Sequence, residues 1–467
     1  MGVKVEKNDL RKRKLFLEGN ILQGVLSVCV PMAAFQLLNE IFRVFDLAIT
    51  ARINPESVTA VSFYNQLGNS IASFAMGLSM GAGILIAGYY GAGEYEKVKK
   101  TVNTTFFLAG SAGVVLAVLL IAAGRPILRL ANTPDELIRI GWDYYRLVIL
   151  NLILVFFNNV YIAIEKARGN GSRILAVNLL MAASKFAISW FLVVIMGKGI
   201  VAVAVSTLAA NLFVSCTGLY FLRDPEDAFG LSPGYITLCP AFLHKIFHIS
   251  LPIMAEKFAF SAGKVMVNSL GVEYGTQTVE ALGVSNSISS LSTVPAGSIG
   301  DGGAAIIRQN TGGGNKERAL KVFGTVFATD IIWGVFGFAT TLLFLNPILA
   351  IFSGGDSGFS QLIRQIFVLE MLSNIFLSAH AALMALFYAF GYTRLSFVLN
   401  FSRLFVFRLP VLLFFLYCTD LTGGIAMGLV MMISNGLTGI FALMLGVIIL
   451  HREYGAGWIR LLFGRKV

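Results

Sequence analysis

Long apolar runs alternate with short polar punctuation along almost the whole chain. A bilayer hydrocarbon core about 30 Å thick takes roughly 20 residues of helix, so each run has the length of one membrane crossing. Twelve runs can be placed, at about 20–50, 57–88, 101–124, 140–164, 174–197, 200–222, 243–270, 279–307, 322–345, 363–388, 395–417 and 424–450. A membrane β-barrel would show alternations of about ten residues instead. No connection exceeds about 25 residues, which leaves no room for a soluble domain. The pattern predicts an all-α integral membrane protein with twelve transmembrane helices.

The punctuation also repeats. A step of 221 residues carries Pro31 to Pro252, Gly81 to Gly302, Gly91 to Gly312, Gly93 to Gly314 and Glu96 to Glu317. The same step carries Pro126-Ile127-Leu128 to Pro347-Ile348-Leu349 and Arg173 to Arg394, with no gap. Chance gives scattered leucine pairs, not prolines and glycines in one register. The chain therefore reads as two six-helix lobes related by an internal repeat, of like orientation because six is even. The expected divisions are an N-terminal lobe at 1–222, an interlobe linker at 223–242, a C-terminal lobe at 243–450 and a tail at 451–467.

Composition agrees with a membrane chain: of 467 residues, 56% are hydrophobic and 13% charged, with a mean hydropathy of +0.77. A soluble protein carries about a quarter charged residues. The net charge of +11 does not point to nucleic acid, because the basic residues collect at one end of alternate helices. That end holds six in the segment Met1 to Leu15, then Lys97, Lys99, Lys100, Lys166, Arg168, Arg173, Arg223, Lys245, Arg308, Lys316, Arg318, Lys321, Arg394, Arg452, Arg460, Arg465 and Lys466. The other end holds Arg52, Arg125, Arg129, Arg139, Lys198 and Arg364. Positive charge stays inside, which predicts both termini in the cytoplasm of a cell membrane protein. The basic start followed by an apolar run resembles a signal peptide, but the run is too long and no small-x-small cleavage site follows. Cys29, Cys216, Cys239 and Cys418 show no C-x-x-C spacing and read as apolar filling. The segment after His451 reads as a basic aromatic stretch at the cytoplasmic surface.

Charges inside the runs carry the candidate chemistry. Each costs roughly 2.5–3.5 kcal/mol at the centre of a membrane helix, so each is expected to face a partner or a polar cavity. The first run places Glu40, Arg43 and Asp46 at three-residue steps, on about one side of a helix. Glu40 and Arg43 can neutralise each other, which leaves the Asp46 carboxylate over. Lys185 sits near the centre of the fifth run, with Asp46 first and Glu165 second as its expected partner. Arg403 and Arg408 flank the equivalent place in the eleventh run, with Glu256, Asp301, Asp330 and Glu370 as possible partners. These groups read equally well as fixed ion pairs that orient helices. Asn158, Asn159, Asn178 and His380 either line a cavity or bond across helices.

In each half the second run ends in a glycine-rich turn and a charged stretch, GAGILIAGYYGAGEYEKVKK (81–100) and GGAAIIRQNTGGGNKERALK (302–321). Small residues there allow close packing and tight turning. Neither is a phosphate-binding G-x-x-x-x-G-K-[ST] loop, and none occurs elsewhere, so uphill transport would draw on an ion gradient. A proline-bearing first helix with a late Asp, the G-x-G-closed basic turn and twelve helices in two repeats resemble the MATE (multidrug and toxic compound extrusion) family. RGNGSR (168–173) and, in part, FGYTR (390–394) match that family's turns after the fourth and tenth helices. The resemblance implies export of small amphipathic, often cationic compounds by alternating access, coupled to H⁺ or Na⁺, with no other cofactor. It carries over to Asp46, 15 residues after Pro31; Glu165 is the other cation-coupling candidate. The chain departs from the family where Lys185 stands in place of a mid-helix Asn or Asp, and where Glu256 is followed at once by Lys257. The alternative is a flippase of the same superfamily for lipid-linked precursors, which would want a cationic cavity. No H-E-x-x-H occurs and GSIGDGG around Asp301 is not G-x-G-D, so no enzyme is expected. The expected partners are substrates and membrane lipids, not nucleic acid, and the expected state is a monomer.

Overall fold

The structure is a computed structural model that describes residues 3–51, 55–130, 135–353 and 356–463, without the side chains of 43–48, 50, 51, 55–60, 62, 130, 135–137, 140, 353 and 463. The first half runs α1 (Lys7–Glu18), α2 (Ile21–Ala51), α3 (Pro55–Ala92), α4 (Tyr95–Ala122), α5 (Gly124–Leu130), α6 (Asp135–Arg168), α7 (Gly171–Ser189) and α8 (Ile200–Phe221). The second runs α9 (Pro240–Gly271), α10 (Thr276–Gly312), α11 (Lys316–Leu343), α12 (Leu345–Ser353), α13 (Ser357–Met371) and α14 (Asn374–Phe390). It ends with α15 (Thr393–Phe401), α16 (Leu409–Cys418), α17 (Gly423–Tyr454) and α18 (Trp458–Phe463). Helix α7 continues as a π-helical turn, Trp190–Ile195, and a second π-turn, Ser402–Arg408, joins α15 to α16. Among the described residues nine spans are long and apolar enough to cross a membrane, and α13 with α14, bent by 52°, form a tenth. Helices α9 and α10 complete the twelve. They are the more polar ones: α9 carries Glu256, Lys257 and Lys264, and α10 is rich in Gly and Ser. The tenth run is thus a broken helix, and the last passes the expected end to reach Tyr454.

The two glycine-rich turns behave alike. Gly93 and Gly314, one repeat apart, both take positive φ (77° and 81°), a conformation that costs a side chain and not glycine. After the second, the Asn315 side chain accepts from the Arg318 backbone N–H at 3.0 Å and caps α11.

Two compact units emerge, and they do not divide where the repeat does. One comprises Met1–Arg13 and Leu38–Phe258, the other Lys14–Leu37 and Ala259–Val467. The changeover falls inside the first helix of each half, at Leu37 and Phe258, again one repeat step apart. These bounds differ from the lobes expected at 1–222 and 243–450. Close packing is the reason. A Cβ on Gly81 would sit 2.6 Å from the Ser250 backbone, so α9 lies directly on α3 in the first unit. In the second unit Gly302 of α10 faces Cys29 and Met32 of α2 in the same way, at 3.3 and 3.2 Å. The expected interlobe linker, 223–242, is tied into the first unit. Asp227, Ala228 and Phe229 are buried, the backbone pairs with Lys4, and the Asn103 side chain bonds Gly230 and Ser232. The first unit's core gathers Tyr64, Tyr145, Ile149 and Leu152; the second gathers Leu282, Phe367, Leu412 and Met427. Past the last span, Leu462 of α18 packs on Gly324 of α11.

Candidate functional site

The first unit concentrates its buried charge around Arg168, the last residue of α6. Its guanidinium is 1% exposed and meets three carboxylates. Nε donates to Asp9 of α1 at 2.9 Å, Nη1 to Glu165 at 3.4 Å, and Nη2 to Asp227. The Phe229 ring covers one face at 4.4 Å. Arg173 donates to both oxygens of Glu165 at 3.3 Å, and Lys12 donates to Asn170 beside them. Tyr90 and Arg13 complete the shell, through Tyr90 Oη to the Asp9 carbonyl at 2.8 Å and Arg13 Nε to the Tyr90 carbonyl at 2.9 Å. Four cations, Lys12, Arg13, Arg168 and Arg173, thus answer four anions, Asp9, Glu165, Asp227 and the nearby Glu6, whose charge acts on Arg168 and Asp227. Burial pushes the Asp227 carboxyl up to about 6, although Arg168 opposes the shift. The cluster ties α1, the end of α6 and the 223–242 stretch together.

The second unit holds its charge within the helices. Arg403 and Arg408 are five residues apart, which on an α-helix would point them about 140° from each other. The i→i+5 bonding of the π-turn brings them toward one face. Both then donate to the same Asn435 Oδ1 of α17, at 3.1 and 2.6 Å, and Arg408 Nε donates to Ser434 Oγ at 3.0 Å. Among the described residues no carboxylate lies within ion-pair distance of either guanidinium, and Arg403 Nε has no hydrogen-bond partner. Glu370, at the end of α13 beside the break in the tenth span, is close enough for its charge to act on both. Its own Oε2 accepts from Ser285 and Ser289 of α10 at 3.0 Å each. Phe260 of α9 lies against Arg403 at 5.2 Å and against the exposed Lys264 at 4.9 Å.

Of the expected carboxylates, Glu370 acts on Arg403 and Arg408 through its charge, without forming an ion pair. Glu256 pairs with its neighbour Lys257 at 3.1 Å. Asp301 is half-buried on α10, close enough to act electrostatically on Asp330 of α11. Asp330 is fully buried, and neither of its oxygens has a hydrogen-bond partner among the described residues.

Other expected residues fall out as follows. Arg43 and Asp46 lie in α2, with their side chains outside the described ones; Glu40 is half-buried nearby. Lys185 is half-buried on α7, and its second expected partner is taken, since Glu165 is held by Arg168 and Arg173. Asn158 bonds across helices, to Asn211 at 3.1 Å and to Ser215 at 2.8 Å. Asn159 and Asn178 donate back to their own helices, to the carbonyls of Val155 and Ile174. His380 is buried in α14. Sequence reasoning did not single out Asp9, Asp227, Ser434 or Asn435. A signal existed only for Asp227, which stands between the charged run Arg223 to Glu226 and the apolar pair Ala228-Phe229.

The family model MatE matches residues 31–191 and 252–414, so both matches begin at the paired prolines. "Probable multidrug resistance protein YoeA" of Bacillus subtilis is 25% identical over 334 residues, covering 69% of this chain and 72% of the relative. "Probable multidrug resistance protein NorM" of Thermotoga maritima is 22% identical over 411 residues, 87% of each chain. Among solved structures, the outward-facing conformation of a multidrug resistance MATE family transporter of the MOP superfamily superposes with a TM-score of 0.88 at 19% identity, covering 96% of this chain and 98% of that one. A MOP superfamily transporter from Pyrococcus furiosus, whose binding pocket is described as of reverse polarity, superposes with a TM-score of 0.87 at 19% identity, covering 97% and 99%. At these identities the superpositions show a shared fold.

Proposed function

We propose that this chain, which belongs to the MatE family, exports small amphipathic compounds across the cell membrane by alternating access, driven by an inward H⁺ or Na⁺ gradient. The observation that carries the reading is the double family match, which starts at Pro31 and Pro252 and covers both halves of the repeat. The names of the curated relatives support drug export; none of those names supports the flippase alternative. With no phosphate-binding loop in the sequence, an ion gradient is the available source of work. The basic residues at one end of alternate helices support termini in the cytoplasm.

Asp46 is the coupling residue of this reading. A membrane carboxylate can be answered by a proton, a Na⁺ or a cationic substrate, but poorly by two at once. That exclusion keeps exchange coupled, because a ligand shifts a two-state equilibrium only by its differential affinity for the two states. Pro31 removes one backbone donor within α2 and supplies a place to bend. Glu165 is set aside as a second coupling site, since its oxygens serve Arg168 and Arg173. Asp330 takes its place: a buried carboxylate without a donor is costly, and a bound cation would relieve it.

Purified protein in liposomes loaded with ethidium tests the reading. Extrusion is expected to follow an imposed H⁺ or Na⁺ gradient and to stop when an ionophore collapses it. Ethidium movement indifferent to both gradients would overturn it.

A further inference from the structure

We infer that the second unit contains an anion-accepting site, formed by Arg403, Arg408 and Asn435, that takes the carboxylate of acid-bearing amphipathic substrates, zwitterions included. The inference rests on the exporter reading for the word substrate; the site itself rests on the following geometry.

Two guanidiniums offer ten N–H donors, and a buried charge is tolerated when it is paired and fully hydrogen-bonded. Among the described residues the acceptors facing this pair are Ser434 Oγ and one shared amide oxygen, Asn435 Oδ1. Arg403 Nε remains without a partner. Glu370 is the carboxylate whose charge reaches them, and its Oε2 is already engaged by Ser285 and Ser289. Two cations therefore face one anion, and a surplus positive charge stands inside the helices. Planar guanidiniums match a carboxylate through paired N–H donors, so an oxyanion satisfies both the charge and the idle donors.

The backbone around the pair has the form of a binding site rather than of a packing accident. A π-turn aims both arginines one way, and such turns occur often at functional sites. The tenth span breaks within four residues of Glu370, by 52°, and broken spans line substrate sites in transporters. Access is graded as well: Lys264 is exposed, Arg403 and Phe260 half-buried, and Arg408 buried. Phe260, with Lys264 and Arg403 at 4.9 and 5.2 Å from its ring, supplies apolar contact for the rest of an amphipathic molecule.

Calorimetric titration of the purified full-length protein with 2-naphthoate and with its neutral analogue 2-naphthamide tests the site. Hydrogen bonds to a charged group predict naphthoate binding about tenfold to a hundredfold tighter than naphthamide. Arg403→Gln is expected to abolish the preference, and Arg403→Lys, which keeps charge but not the paired donors, to retain part of it. Glu370→Gln, which removes the competing anion, is expected to tighten naphthoate binding. A wild-type protein with no preference for the acid, or an unaltered preference in Arg403→Gln, overturns the inference. Should Arg403→Gln fail to fold, the wild-type comparison and Glu370→Gln decide it, and weaker or unchanged naphthoate binding by Glu370→Gln counts against the site. No gradient is present in this titration, so a protein that binds naphthoate yet fails gradient-driven extrusion loses the exporter reading and keeps the site.

Discussion

Arg168 and Arg408 are both arginines buried to within a few per cent of complete, and their surroundings could hardly differ more. Arg168, in the first unit, touches three carboxylates within a cluster of equal positive and negative count. Arg408, in the second, shares a neutral amide with another arginine. A balanced cluster at a helix end holds segments together and leaves no surplus charge for a ligand. An unbalanced pair midway along a span keeps donors in reserve. The repeat lays down the same helices twice, but charge balance separates anchoring from binding, and burial alone does not.

Breaking the balanced cluster is expected to have the largest effect. Arg168→Gln strands Asp9 and Asp227 in a buried place, leaving Glu165 to Arg173, and losing one side of such an arrangement costs about 3–5 kcal/mol. Thermal unfolding in detergent reads this; a variant as stable as the parent would dissolve the contrast. A pH titration of the same transition gives the next largest effect. The Asp227 carboxyl is raised to about 6 from an ordinary value near 4, so the folded protein holds an extra proton between those pH values. Its contribution to stability is then greatest below about pH 4, falls as pH rises to about 6, and is flat above, a change of about 1–3 kcal/mol. Asp227→Asn should remove that slope, and a slope that survives the change would belong to another group. The smallest effect is expected at Arg403. Arg403→Gln gives up one hydrogen bond and relieves repulsion from Arg408, so stability should move by no more than about 1 kcal/mol. A loss near that of Arg168→Gln would show the second pair to be an anchor too.

What could be read from sequence was periodic or local. The twelve spans, the repeat and the glycine turns follow from residue spacing, and Gly93 and Gly314 adopt the conformation that only their lack of a side chain makes easy. The partners of Arg168 lay 159 and 59 positions away, and no local pattern joins Asp9 or Asp227 to it. Helix ends and π-turns were hidden for another reason. Whether residues 402–408 bond i→i+4 or i→i+5 is decided by what packs against them, and that choice swings Arg403 toward Arg408. The compact units were equally hidden. Pro31 and Pro252 reveal the repeat, but the changeover at Leu37 and Phe258 depends on which glycine face each helix meets. Glu165 looked available because a span's carboxylate is costly; the two arginines that occupy it are its neighbours in RGNGSR, whose turn folds back on α6.

Efflux by Asp46→Asn tests the central claim, cation-coupled export, most directly. The substitution keeps the side chain's shape and removes its charge, so the protein should fold and reach the membrane. Measured in everted vesicles at matched protein levels under an imposed H⁺ or Na⁺ gradient, ethidium transport by the parent should follow the gradient, and transport by Asp46→Asn should fall to the level of empty vesicles while ethidium binding persists. Undiminished gradient-driven transport by Asp46→Asn would contradict the mechanism.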